Sequence, residues 1–159
     1  MPSGPTPAVR ALVTAGLQFE LHSYRHDPDC ESYGDEVVAA LDVDPLRVFK
    51  TLIVEADTRL ACAVVPVAHQ LDLRRAASAL DAKSARMAER AAAERSSGYV
   101  VGGVSPIGQK RKLATVVDET ALSWPTLYVS AGRRGLELEI SPADLLKATN
   151  ATVARIGRA

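Results

Sequence analysis

The sequence predicts a mixed α/β (α+β) domain, a sheet with strands running in both directions and helices at its periphery. Two observations carry this. Strand-like and Ala-rich helix-like runs interleave irregularly, without the even alternation that a doubly wound parallel sheet requires. Two of the strand-like runs, 48–56 and 60–67, are separated only by Asp57-Thr58-Arg59, which sets a hairpin. With 159 residues, 47% of them hydrophobic, there is material for one core, so 1–159 is expected to form a single domain. Only 4% of residues are aromatic, so that core is built from many small aliphatic contacts.

Residues 1–5, rich in Pro, Gly and Ser, are expected to be loose. Thr6 can then cap a helix with Pro7 at its first position, and Gly16 can close it. The run 18–24 reads as a strand, followed by a polar loop around His26-Asp27-Pro28-Asp29 and a short helix over 35–41. Asp44-Pro45 resembles a one-turn helix start. After the hairpin, 72–80 and 88–95 are helical by their Ala-rich, charge-spaced pattern. The span 98–108 is the most glycine-dense of the chain. Later strands are expected at 113–118, 126–130 and 136–140, then a helix opened by Ser141-Pro142 and ending near Thr149, and a last strand at 151–156.

Nineteen basic and nineteen acidic residues cancel, which excludes a protein that coats duplex nucleic acid through a general positive field. Any RNA contact must be local, and basic residues do bunch at Arg74-Arg75, Lys110-Arg111-Lys112 and Arg133-Arg134. Cys30 and Cys62 have no C-x-x-C spacing, and a reducing cytosol fits them. There is no apolar leader and no uncharged run long enough to cross a bilayer, so a cytoplasmic protein without membrane attachment is expected. His22, His26 and His69 are scattered, without the spacing of a metal site, and neither a metal nor a cofactor is expected.

Lys50 stands out on physical grounds. Side chains alternate along a strand, so Lys50 shares its face with Val48, Leu52 and Val54, and that face is otherwise apolar. Turned to the core, it would hold an ammonium partly out of water unless it opened into a pocket. An inward lysine guarding an edge strand, or one reaching to the rim, explains the same pattern. In Gly102-Gly103-Val104-Ser105-Pro106-Ile107-Gly108 the glycines let backbone amides approach a ligand, suiting phosphate, carboxylate or a developing oxyanion. It matches neither a phosphate-binding P-loop nor a dinucleotide-binding loop, and a plain connection also explains it. Ser130-Ala131-Gly132-Arg133-Arg134-Gly135 joins two strands; read by spacing alone it is a hairpin tip with solvated arginines.

Taken in order, several segments resemble the YbaK/EbsC family, relatives of the editing domain inserted in bacterial prolyl-tRNA synthetase. They are Ser23-Tyr24-Arg25-His26-Asp27-Pro28, Gly34-Asp35-Glu36-Val37-Val38, Val48-Phe49-Lys50-Thr51-Leu52, 66–72, 98–109 and Tyr128-Val129-Ser130. The resemblance implies a partly barrel-like sheet and hydrolysis of cysteine wrongly esterified to proline tRNA, beside prolyl-tRNA synthetase. It implies that hydrolysis depends most on Lys50, that Gly102, Gly103, Ser105 and Pro106 hold the ester and terminal adenosine, and that Tyr24, Ser130 and Gly132 line the pocket. Ala131 stands where relatives often carry a second glycine. Lys110, Arg111, Arg133 and Arg134 are candidate contacts for the tRNA acceptor end. Three other readings stay open: a deacylase for another amino acid such as alanine, an enzyme using Lys50 as a Schiff-base nucleophile, and a non-catalytic module that binds tRNA or the synthetase.

Overall fold

The computed structural model describes residues 4–30 and 32–159. Helix α1 (Pro7–Ala15) starts where Thr6 Oγ1 accepts from the Val9 amide at 3.2 Å, and Gly16 ends it at φ 70°. Strand β1 (Glu20–Ser23) follows, then α2 (Tyr33–Leu41), capped by Ser32. The one-turn helix expected after Asp44-Pro45 is a turn instead. Asp44 Oδ1 accepts from the Leu46 amide at 2.9 Å, a local closure that competes with helix propagation. Next come the hairpin β2 (Phe49–Ala56) and β3 (Arg59–Pro66), then β4 (Gln70–Leu71), α3 (Leu73–Ala79), β5 (Ala85–Met87) and α4 (Arg90–Ser97). Beyond the glycine-rich segment lie β6 (Ala114–Asp118), a 3₁₀ turn (Glu119–Ser123), β7 (Leu127–Arg133), β8 (Leu136–Ile140), α5 (Pro142–Thr149), β9 (Thr152–Ala154) and β10 (Gly157–Arg158). The strand expected at 151–156 is thus only the three residues of β9, and β10 lies just beyond the expected run. Asp118 Oδ1 accepts from the amides of Ile156 and Gly157 at 2.9 and 2.8 Å, and this redirects the chain between them.

Of the opening segment expected to be loose, residues 1–3 lie outside the described residues. The carbonyls of Gly4 and Pro5 accept from Arg133 and Arg10.

The largest sheet is mixed, as expected. In the five-stranded order β5-β2-β3-β6-β9, β2 runs antiparallel to β3 and β5, while β6 is parallel to β3 and β9. A second, antiparallel sheet has the order β1-β8-β7, and β10 pairs with β4. A bridge between Val48 and Tyr128 joins the two larger sheets, and no closed barrel forms among the described residues.

One break in this pairing creates the site. Strand β2 pairs with β3 along its whole length but with β5 only at Val54–Ala56. Between that contact and the Val48 bridge, its outer edge has no neighbouring strand. The Ala88 amide donates to the Ile53 carbonyl on that edge, so alternation turns the Thr51 backbone groups toward the same gap.

The main core takes one face of the three-stranded sheet, with Leu127, Val129 and Ala131 of β7 and Leu136, Leu138 and Ile140 of β8 packed with Leu12, Phe49, Ile53 and Ile107. Tyr128, Ser130, Glu137 and Glu139 alternate onto the other face. Helix α2 covers part of it, its Val37 clustering with Val48 and Tyr128. On β2 the expected inward face is only half the picture. Val48 and Val54 are buried, but so are Phe49 and Ile53 on the opposite face, so the strand is packed from both sides.

Candidate active site

The gap beside β2 opens into a cleft of about 470 Å³, walled by Lys50 and Thr51 of β2, Tyr33 and Val37 of α2, Gly102 and Val104 of the glycine-rich segment, Ser130 of β7 and Glu137 of β8. Its size falls in the range of small-molecule sites, about 300–1,000 Å³. Lys50 is half-buried, and burial pulls its ammonium below the usual lysine range against the opposing pull of Asp35. It makes no ion pair within 4 Å among the described residues. A charge kept partly dry and unpaired is available to a substrate.

Glu137 is the other unpaired group. It is 4% exposed, no hydrogen bond reaches its side chain among the described residues, and its Oε2 is fully enclosed. Burial pushes its carboxyl up to about 8. In the strand register it stands opposite Ser130 on one side and His22 on the other. His22 turns away from it, pairing with Glu139 at 2.9 Å, and Arg47 also reaches Glu139, at 3.3 Å. Ser130 Oγ accepts from the Gly132 amide at 3.1 Å, which leaves its proton free to be donated. The hydroxyl of Thr51, on the cleft wall, is also enclosed and unpartnered.

Of the residues singled out by sequence, the cleft wall brings together Lys50, Gly102 and Ser130. Gly103, Ser105 and Pro106 lie behind it, buried. A Cβ on Gly103 would come within 2.8 Å of the Arg133 backbone, so glycine is what lets this segment press against the β7–β8 turn. Ser105 Oγ accepts from the Ile107 amide, and its carbonyl accepts from Gln109 Nε2 at 3.0 Å. Gly132, at φ 109°, occupies the bulge between Ser130 and Arg133, where a Cβ would strike Tyr99 at 2.8 Å. Tyr24 packs with the cluster beneath α2, and burial, reinforced by Glu137 and Glu36, pushes its hydroxyl up to about 12. Lys110 and Arg111 are exposed. Arg133 donates to the Gly4 carbonyl. Arg134 lies over the Tyr33 ring, 4.6 Å from its centroid, and donates to the Val101 carbonyl, tying α2, the glycine-rich segment and the β7–β8 turn together at the cleft.

A second groove, about 590 Å³, is lined by Glu20, Glu139 and Asp144 among others. Its acidic wall is poorly suited to a polyanion such as RNA. Glu20, His22 and Glu139 bring ligand atoms within 4.8 Å of one another there, a convergence created by strand pairing and invisible in the scattered histidines. The hydrogen bond to His22 and the pairing with Arg47 already satisfy Glu139.

The family model for the aminoacyl-tRNA editing domain matches residues 27–148, a span that includes every residue of the cleft wall. The chain belongs to the aminoacyl-tRNA editing domain family. The YbaK/EbsC resemblance seen in the motifs holds. The chain is 36% identical over 152 residues, 95% of its length and 92% of the relative's, to EbsC of Enterococcus faecalis, a candidate Cys-tRNA(Pro)/Cys-tRNA(Cys) deacylase. It superposes on the crystal structure of a hypothetical protein at TM-score 0.86 and 27% identity, covering 96% of this chain and 99% of that one. A candidate trans-editing enzyme for prolyl-tRNA synthetase has the same fold, at TM-score 0.84 and 23% identity, with 96% of each chain covered. The editing domain is a hydrolase of the aminoacyl-tRNA ester. Among the described residues no helix is long and apolar enough to cross a membrane.

Sequence reasoning missed several residues of this editing domain's cleft, among them Glu137, Thr51 and Tyr33. Glu137 sits in Leu136-Glu137-Leu138-Glu139-Ile140, whose strict alternation reads as a strand with a solvated acidic face. That face is covered by α2, which comes from a distant part of the chain. Thr51 was within the family motif but on the other face of the strand from Lys50, and only the missing neighbour strand exposes it to the cleft.

Proposed function

We propose that this protein removes cysteine wrongly attached to proline tRNA, acting in trans beside prolyl-tRNA synthetase in the cytoplasm, with the whole of 1–159 working as one editing domain. The observation that carries this reading is the unpaired Lys50 ammonium on the wall of a small cleft whose other lining is largely aliphatic. Such a cleft accepts a short side chain and one carbonyl, and excludes bulk water from both. An ester is already activated compared with an amide, so positioning and charge stabilisation supply much of what the reaction needs.

Lys50 steadies the ester carbonyl as negative charge develops on it, and the backbone around Gly102 receives the terminal adenosine. The substrate's own thiol is the nucleophile. The thiol gives up its proton as its sulfur bonds to the carbonyl carbon, the bond to the ribose oxygen breaks and that oxygen takes up the proton as the tRNA leaves, and water then opens the resulting cyclic thioester to free cysteine. A thiolate attacks far better than a hydroxyl, which favours cysteine over serine or alanine. Lys110 and Arg111, with Arg133 and Arg134 from the turn, contact the acceptor end, and the synthetase supplies most of the tRNA affinity that a net-neutral domain lacks.

The test is a deacylation panel of Cys-tRNA(Pro), Ala-tRNA(Pro) and Cys-tRNA(Cys), with and without prolyl-tRNA synthetase. Cys-tRNA(Pro) is expected to be cleaved at least about tenfold faster than Ala-tRNA(Pro), the order of discrimination that one small chemical group supports, and faster still with the synthetase present. Preference for the alanyl ester would reassign the substrate, and equal rates on both tRNAs regardless of the synthetase would remove the partner.

A further inference from the structure

We infer that Glu137 binds the free α-ammonium of the aminoacyl group, so that the cleft selects esters with an unblocked amine over N-acylated ones. The inference rests on the deacylase reading and adds to it a recognition element that neither the motifs nor the family match assigns.

Buried polar groups are nearly always partnered, and an enclosed carboxylate without a partner is expensive. Glu137 is such a group, and the cations that could have reached it are otherwise placed. His22, its cross-strand neighbour, is bonded to Glu139, Arg47 pairs with Glu139 as well, and Lys50 shares the cleft without pairing to it. What the protein does not supply, the ligand can. An aminoacyl-tRNA terminus carries one group of the right chemistry, a primary ammonium with three N–H donors; its ribose and phosphates are neutral or anionic and suit Lys50 instead. Ser130 stands across the strand pair from Glu137 and can help orient the same group. Lys50 and Glu137 thus give the cleft a polarity, an ammonium for the carbonyl and a carboxyl for the amine, and an ammonium arriving beside Glu137 favours its ionised, hydrogen-bond-accepting form. N-acylation removes the charge and two of the three donors and adds bulk to a largely aliphatic space.

The experiment compares kcat/KM for Cys-tRNA(Pro) and N-acetyl-Cys-tRNA(Pro), each corrected for spontaneous hydrolysis of the same ester, in the wild-type protein and in Glu137→Gln. Both substrates keep the thiol. The wild type is expected to favour the free amine by about 100-fold, the scale of a hydrogen bond to a charged group in a buried site, and Glu137→Gln to shrink that ratio below about tenfold. Equal rates on the two esters in the wild type overturn the inference while leaving the deacylase reading intact, and this comparison needs no variant to fold. A Glu137→Gln protein that loses rate on both substrates in proportion, keeping the ratio, also overturns it, because a purely structural carboxyl would behave that way. Failure of the wild type to cleave Cys-tRNA(Pro) at all refutes the deacylase reading itself.

Discussion

Lys50→Met is expected to lower the rate of aminoacyl-ester hydrolysis by about 10²- to 10³-fold, the usual cost of removing one preorganised stabiliser of a developing oxyanion, while the melting midpoint stays the same or rises. The two halves of this result come from the same fact. Lys50 contributes no ion pair among the described residues, and its charged form is disfavoured by burial. Folding therefore gains nothing from the ammonium, and a methionine of similar length can follow its path beside Leu52 without leaving a charge behind. Rate and thermal unfolding measured on the same preparation separate the outcomes. A variant that keeps full activity removes Lys50 from the chemistry, and one that loses activity only because it unfolds makes the lysine structural.

Glu137→Gln should change the pH dependence of stability more than any other single substitution. The unfolded carboxyl titrates near its ordinary 4.5, whereas in the folded protein burial raises it to about 8. Below pH 4.5 both states hold the proton, and the stability that depends on it is fully present. As pH rises, the unfolded chain releases the proton first and the folded one must keep it or bear a buried charge, so wild-type stability falls until about pH 8. At about 1.4 kcal/mol per pH unit, the interval amounts to at most about 5 kcal/mol. Asp72, Asp118, Glu36 and Glu139 lie on the other side of their ordinary values, each held down by hydrogen bonds or a cationic neighbour. Their contributions are lost in acid and are common to both proteins. Denaturant unfolding of the wild type and Glu137→Gln at pH 5, 6, 7 and 8 should therefore give curves that diverge steadily in favour of the variant. Parallel curves would mean that the carboxyl is ionised and satisfied throughout.

How far the sequence reaches is clear from particular residues. Local chemistry was legible: Thr6 and Ser141 cap the helices expected of them, and the hairpin over β2 and β3 follows from two β-rich runs and a three-residue polar joint. The half-buried place of Lys50 on the cleft wall was legible as well, because a cation on an apolar strand face is a conflict between local pattern and global burial. Glu137 was not. In sequence it is one of two glutamates alternating with leucines, chemically the same as Glu139. What divides them is tertiary: Glu139 receives His22, Thr126 and Arg47, while Glu137 is buried at the cleft with no side-chain partner among the described residues. The glycine-rich segment reads in sequence as a candidate functional loop, but its internal division was hidden. Gly102 faces the cleft, whereas Gly103 and Gly132 owe their identity to close packing against Arg133 and Tyr99. Short pieces such as β4, β5 and β10 went unseen because strands of two or three residues take their form from the neighbour they pair with.

The central claim is that the cleft beside the free edge of β2 receives the aminoacyl end of tRNA. It is tested most directly by a crystal structure with cysteinyl adenosine in which an amide replaces the ester. The expected complex places the carbonyl within hydrogen-bonding reach of Lys50 Nζ, the amine at Glu137 and the adenosine against Gly102. A ligand seated in the acidic groove of Glu20, Glu139 and Asp144, or one that leaves Lys50 untouched, would contradict it.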